Sequence, residues 1–311
     1  MSESVEVESL FHLLEKFQNE QDCRDYLEKI RWNGKPKCPH CTHDKVYKFK
    51  AGKLWKCAKC RKQFTVKVGT IFEESNISLR KWFMAIYIIS AHKKGIASIQ
   101  LAKDLKVTQK TAWFMNHRIR YAMTTKSFLL GLENVVEADE TYMGGKDKNR
   151  HKNKRLAGTG TANKIPVFGM VERKGNVTAV PVIKADTGTL TDIIRKNLDK
   201  KAVLMTDDHG AYRKIHREFE HLVVNHTQGE YGVGMIHTNT IENFWSLLKR
   251  GIIGIYHQVS PQHLHRYCDE FSFRYNVRDS PDGVKFIHTL SRTKGKRLMY
   301  KNLIKSNVSN L

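Results

Sequence analysis

The chain has 311 residues, with 54 Lys and Arg against 31 Asp and Glu, and a formal net charge of +23. A hydrophobic share of 40% supports packed cores and excludes a wholly disordered chain. The charge implies a polyanionic partner, and nucleic acid comes before an acidic membrane surface because the basic residues are spread along the chain.

The first segment, Met1 to Glu8, is acidic and lacks the apolar stretch of a secretory signal, so a cytoplasmic, nucleoid-associated location is expected. Residues 1–36 form a helical segment in this reading, with Leu10, Leu13, Leu14 and Phe17 at helical spacing. Residues 37–70 follow as a cysteine-punctuated module. Cys38-Pro39-His40-Cys41 and Cys57-Ala58-Lys59-Cys60 give two tight knuckles separated by enough chain for a hairpin. Four thiolates close a tetrahedral shell around one structural Zn²⁺, and His40 and His43 are bystanders. Ten Lys and Arg surround the knuckles, flanked by Trp55 and Phe64, which suits either a DNA-contacting ribbon with exposed aromatics or a zinc-stapled protein contact. Cys23 and Cys268 read as buried thiols.

Residues 71–130 read as three helices. The longest apolar run, Trp82 to Ile89, is bounded by Lys81 and His92 and is too short for a membrane span. Ile96 to Tyr121 has the length and turn of a helix-turn-helix, with Thr108 capping the last helix. That helix offers Gln109, Lys110, Asn116, His117, Arg118 and Arg120, residue types that can read base edges or contact phosphate. A trihelical linker with a solvated charged face would carry the same residues.

Residues 131–282 mix strands and helices, which argues an α/β domain with a mixed sheet. Strands are expected at Val135–Asp139, Pro166–Glu172, Asn176–Ile183, Ala202–Asp207 and His221–Asn225. Helices are expected at Leu190–Leu198, Tyr212–Glu218, Thr240–Arg250 and Pro261–Asn276. Asp139 and Asp207 end strands, and Glu242 lies on a helix with Lys249 two turns further on. Three such acids in a basic chain suggest two bound Mg²⁺ or Mn²⁺ ions working on a phosphate backbone. Glu137, Glu140 and Asp208 compete with their neighbours for that role, and spacing alone leaves the choice open. Arg150, Lys154 and Arg155 lie in a basic insertion that either clamps DNA or is a solvated loop. Residues 283–311 read as a basic C-terminal tail.

These motifs, in order, resemble one family. Arg31-Trp32-Asn33-Gly34 precedes the first knuckle, and Asp139-Glu140-Thr141-Tyr142 leads to Gly144-Gly145. Thr206-Asp207 precedes Ala211-Tyr212, and His237-Thr238-Asn239-Thr240-Ile241-Glu242 leads to Lys249-Arg250-Gly251. Glu270-Phe271 and Arg274-Tyr275-Asn276 complete the pattern. The chain is similar to the zinc-ribbon DDE transposases of bacterial insertion sequences, the ISXO2-like group related to Merlin elements. The resemblance implies an RNase H-like catalytic domain with Asp139, Asp207 and Glu242 as its acids, Lys249 as a basic partner and Arg250 as a DNA contact. It implies binding of terminal inverted repeats, phosphodiester cleavage, joining of 3′ ends to target DNA, and a dimer or larger assembly. Members differ at the third acid, some having Asn, and Asn239 and Asn243 stand beside Glu242. A non-enzymatic DNA-binding regulator and a nuclease that cuts without joining are the competing readings.

Overall fold

The computed structural model describes residues 7–124, 131–145, 164–213, 215–224 and 237–304. They form two compact units. One is built from the described residues up to Met123 and those from Asp279 onward, the other from Thr124 to Arg278. No helix among the described residues is long and apolar enough to cross a membrane.

The first unit opens with α1 (Leu10–Lys16) and α2 (Glu20–Trp32). Asn19 and Asp22 form a reciprocal capping box that fixes the start of α2. Strands β1 (Val46–Lys48), β2 (Trp55–Cys57) and β3 (Gln63–Phe64) make an antiparallel ribbon in that order. Then come α3 (Leu79–Ala91), α4 (Ser98–Leu105) and α5 (Gln109–Met123). Lys106, at φ 48°, turns the chain out of α4, and the Thr108 hydroxyl accepts from the Thr111 amide at 3.2 Å, as its place in the sequence predicts.

The residues past Asp279 depart from the expected tail. Helices Asp282–Ser291 and Tyr300–Ile304 pack into the first unit. Phe286 and Leu290, four apart, are fully buried, and Phe286 meets Phe83 edge-on at 5.6 Å. Basic neighbours masked this short apolar stripe in the sequence. Gly283 allows the approach: a Cβ there would lie 2.4 Å from the Val7 carbonyl oxygen.

Helix α5 also departs from expectation. Asn116, Arg118 and Arg120 are 3%, 4% and 3% exposed. The Arg118 guanidinium donates to the carbonyls of Leu298 at 3.0 Å, Ile71 at 2.8 Å and Glu73 at 3.0 Å, and lies over the Phe114 ring. Its five fixed donors gather loop carbonyls that would otherwise be buried without partners. These three side chains therefore cannot enter a DNA groove, and His117 is buried with them. Gln109 and Lys110, at the helix start, are exposed.

The second unit is a layered α/β fold. Its strands are β4 (Val135–Met143), β5 (Ile165–Glu172), β6 (Val177–Pro181), β7 (Val203–Asp207) and β8 (Glu220–Val224). The sheet order is β6-β5-β4-β7-β8. The β4, β5 and β6 pairings are antiparallel, while β7 is parallel to both β4 and β8. The helices are α6 (Thr187–Asn197), α7 (Asn239–Gly251) and α8 (Leu264–Asn276). Alternation along β4 divides the faces. Val136 and Ala138 pack with Leu190 and Ile194 of α6, whereas Met143 packs with Phe244 and Leu248 of α7 and Phe271 of α8. The expected helix at Tyr212–Glu218 is instead two short 3₁₀ turns, Gly210–Tyr212 and Ile215–Arg217, so the apolar residues there fill the core without a continuous helix.

Replacing Arg118 by Ala strands three carbonyls. It should lower the stability of the first unit by about 3 kcal/mol or more, read from its transition in urea denaturation.

Candidate active site and zinc centre

Strands β4 and β7 run parallel with Glu137 opposite Met205. Two residues further along each strand stand Asp139 and Asp207, on one face of the sheet. Asp207 ends β7, whereas Asp139, expected at a strand end, stands midway along β4, which pairs with β5 as far as Met143. That face is covered by α7, whose first turn carries Glu242. Asp139, Asp207, Glu242 and Lys249 line one cleft of about 380 Å³, together with Glu140 and Trp245. The sequence-predicted acids and lysine are thus brought together. Arg250 is exposed, donates to the Ser246 carbonyl at 3.1 Å, and is not among the lining residues. Arg150, Lys154 and Arg155 lie outside the described residues.

The competing acids separate by position. Glu137 shares the Asp139 face but is 0% exposed. It accepts from Arg173 Nε at 2.7 Å, from the Thr240 amide and hydroxyl at 2.8 Å each, and from the Ile241 amide at 3.1 Å. A carboxylate in that place satisfies the free amides at the start of α7 and meets the positive end of its dipole. Arg173 also donates to the His237 carbonyl at 2.8 Å. Glu137 therefore holds the helix that carries Glu242. Glu140 has the opposite parity on β4 and borders the cleft while accepting from the Tyr212 hydroxyl at 2.5 Å, with His209 at 3.2 Å. Asp208 is exposed and not among the cleft-lining residues. Asn239 and Asn243 do not line the cleft either, whereas Glu242 does, with the Thr238 hydroxyl donating to it at 3.1 Å.

Both oxygens of Asp139 accept hydrogen bonds, from the Glu140 amide at 2.7 Å and from the Trp245 indole at 2.9 Å. Burial, then the charges of Glu140 and Asp207, push its carboxyl up to about 7. Asp207 accepts from the His209 amide at 3.2 Å. The three carboxylates line one cleft, although their oxygens do not all lie within 4.8 Å of one another. Hard oxygen donors of this kind suit a divalent cation such as Mg²⁺ or Mn²⁺, whose charge would reverse the upward shift at Asp139. The indole of Trp245 was not anticipated from the sequence, although it follows Glu242 by about one helical turn.

Cys38, Cys41, Cys57 and Cys60 have sulfurs all within 4.8 Å of one another. Among the described residues this is the one cluster of potential ligands so closely gathered. Cys38 and Cys60 are 3.6 Å apart, and Cys41 and Cys57 are 3.5 Å apart. Tetrahedral Zn²⁺ with sulfur at about 2.3 Å needs edges of about 3.8 Å, so the quartet fits that ion. The backbone amides of His40 and Cys60 donate to Cys38 and Cys57 sulfurs, as tight knuckles do. The flanking aromatics are not the exposed ones: Phe64 is buried and Trp55 is half-buried, its indole donating to Glu28 at 3.1 Å. Tyr47 and Phe49 are exposed instead. Cys23 and Cys268 are buried, and burial pushes the Cys23 thiol up to about 12.

Glu137→Gln removes the charge facing Arg173 and weakens the cap on α7. Stability of the second unit should fall by about 3 kcal/mol, measured by denaturant unfolding, as the half-buried Arg173 loses its ion pair with Glu137.

Comparison with known proteins places these features. Residues 130–276 match the ISXO2-like transposase domain, and residues 18–63 match the transposase zinc-ribbon domain. A protein of Halobacterium salinarum, described as an uncharacterized protein in transposable element ISH50, is 28% identical over 295 residues, covering 90% of this chain and 98% of its own. Two solved structures are also similar. A pre-cleavage Mos1 transpososome is 11% identical, covering 65% of this chain and 75% of that one, with a TM-score of 0.20. A Mos1 strand transfer complex is 13% identical, covering 64% and 74%, with the same TM-score of 0.20. At that score the architecture rests on the strand order and pairing given above. The chain thus carries an ISXO2-like transposase domain preceded by a transposase zinc ribbon.

Proposed function

We propose that this protein is a DNA transposase that binds the terminal inverted repeats of its element, cleaves phosphodiester bonds there and joins the freed 3′ ends to target DNA. The observation that carries this reading is the single cleft lined by Asp139, Asp207, Glu242 and Lys249. The strand order, with three antiparallel strands and then parallel additions at β7 and β8, agrees with an RNase H-like domain.

In this reading Asp139, Asp207 and Glu242 hold two Mg²⁺ or Mn²⁺ ions. Bound there, the ions neutralise charge at the phosphate and raise the nucleophilicity of water or a 3′-hydroxyl. Lys249 holds a phosphate oxygen from the helix face it shares with Glu242. In cleavage, water attacks phosphorus, the bond to the 3′ oxygen breaks, and that oxygen leaves as a hydroxyl opposite a 5′ phosphate. In joining, the 3′-hydroxyl attacks a target phosphodiester and displaces the 3′ oxygen of the target. Both are displacements at phosphorus, so one site serves both steps.

The charge of +23 supports a DNA partner. The exposed contacts offered to DNA are Gln109 and Lys110 at the start of α5, the position from which a recognition helix reads bases, and Arg250 beside the cleft. Arg150, Lys154 and Arg155 extend this set in the basic insertion. The ribbon holds one structural Zn²⁺ through its four cysteines. Pairing of two ends in one reaction calls for a dimer or a larger assembly. The chain acts in the cytoplasm, at the nucleoid where its DNA substrates lie.

Asp139→Asn should reduce Mg²⁺-dependent nicking of an end-containing duplex by about 10³-fold or more while leaving duplex binding intact. Unchanged nicking in a gel assay would remove the enzymatic reading and favour a DNA-binding regulator. Nicking without strand transfer to a target duplex would favour a nuclease. Purified protein should release about one zinc per chain on thiol modification, and the stripped protein should lose ribbon structure and end binding, read by circular dichroism and mobility shift.

A further inference from the structure

Trp245 lies on α7, about one turn beyond Glu242, and is 4% exposed. Its indole Nε1 donates to Asp139 Oδ2 at 2.9 Å. The ring reaches that oxygen by crossing β5 at Gly169, the residue registered directly opposite Asp139 on the neighbouring strand. A Cβ at Gly169 would lie 2.5 Å from Trp245 Cη2, 2.7 Å from Cζ2 and 3.2 Å from the Ile241 Cδ1. Such distances are too short for any larger residue unless the ring moves. Glycine at this position and the indole above it therefore form one fitted arrangement, whose polar end is the Asp139 carboxylate.

We infer that Trp245 is a positioning residue that sets the orientation of Asp139 toward a divalent cation in the cleft. This rests on the reading of the cleft as a cation site given above. The Glu140 amide holds Oδ1, and the indole holds Oδ2. With both oxygens tied, the carboxylate plane is fixed, and the lone pairs that remain are available to the cleft. The donor is neutral. An arginine or lysine in the same place would fix the carboxylate equally well but would repel a cation bound to it. The indole also joins Asp139 to the helix that bears Glu242 and Lys249. Two of the three acids thus keep a set relation through a single side chain.

Manganese titration into the full-length, zinc-loaded protein without DNA tests this by calorimetry. The wild type should bind Mn²⁺, and Asp139→Asn should abolish that binding. Trp245→Phe keeps the packing but lacks the donor, and it should weaken Mn²⁺ binding about 10-fold or more while DNA affinity without cation stays the same. Gly169→Ala keeps the donor but displaces the ring, and it should weaken Mn²⁺ binding likewise. Equal affinity in the wild type and Trp245→Phe overturns the inference and leaves the cation site standing. Absence of any Asp139-dependent Mn²⁺ binding in the wild type overturns the cation site itself, and the inference with it. A second measurement needs no variant at Trp245. In ¹⁵N-indole-labelled wild type, one indole N–H signal should shift on Mg²⁺ addition and should stay fixed in Asp139→Asn. If no indole signal responds to Mg²⁺, Trp245 does not sense the cation and the inference falls.

Discussion

The geometry of the cleft depends on a carboxylate that is not part of it. Glu137 is fully buried, meets Arg173, and takes the amides of Thr240 and Ile241 at the head of α7. A buried charge is tolerable only with partners of this quality. The consequence is positional. β4 carries Glu137 and Asp139 on one face, two residues apart, so the strand that anchors the helix also supplies the first acid. Gly251 at the far end lets α7 lie close to α8, where a Cβ would fall 2.0 Å from the Phe271 ring. Between these two fixed ends, Glu242, Trp245 and Lys249 have little freedom to slide along the sheet.

A basic chain that gathers acids at one edge of a sheet works against desolvation, and the effect is visible at Asp139, held near 7 by burial and its acidic neighbours. The surrounding residues do not relieve it with a direct ion pair. The groups bonded to Asp139 are a backbone amide and an indole, both neutral. The arginine nearest in sequence logic, Arg173, is committed to Glu137. Asp139 is thus left without a fixed counter-charge and tends to keep its proton, and a cation bound in the cleft would supply the missing charge and favour the ionised form.

Much of this was legible in the sequence because the signals were local. Cysteine spacing and the aspartate that ends β7 follow from short-range pattern, and the mixed sheet follows from the alternation of strands and helices, whereas Asp139 stands midway along β4 because pairing with β5 carries that strand on to Met143. What was not legible depended on distant partners. Glu137 and Asp139 have the same parity on β4, and only the docking of α7 distinguishes a cap from a cleft residue. Trp245 belongs to the buried stripe of α7, while its N–H end reaches the acid only because Gly169 stands on another strand. Phe286 and Leu290 were hidden by the basic residues around them.

The arginines of α5 carry a further consequence. Charge counted along a sequence does not distinguish a guanidinium offered to phosphate from one consumed by carbonyls. Arg118 is of the second kind, and Arg120 is buried with it. Removing such residues from the binding surface leaves the C-terminal half of α5 unable to read DNA. The ribbon is different. Lys45, Lys50, Lys53, Lys59, Arg61 and Lys62 are exposed, and Tyr47 and Phe49 stand exposed among them. A three-stranded ribbon of this size has too small a core to bury long side chains, so its basic residues remain on the outside. Under the proposed function, the exposed basic residues of the metal-stapled module and the first turn of α5, not its buried arginines, are the ones placed to meet a polyanion.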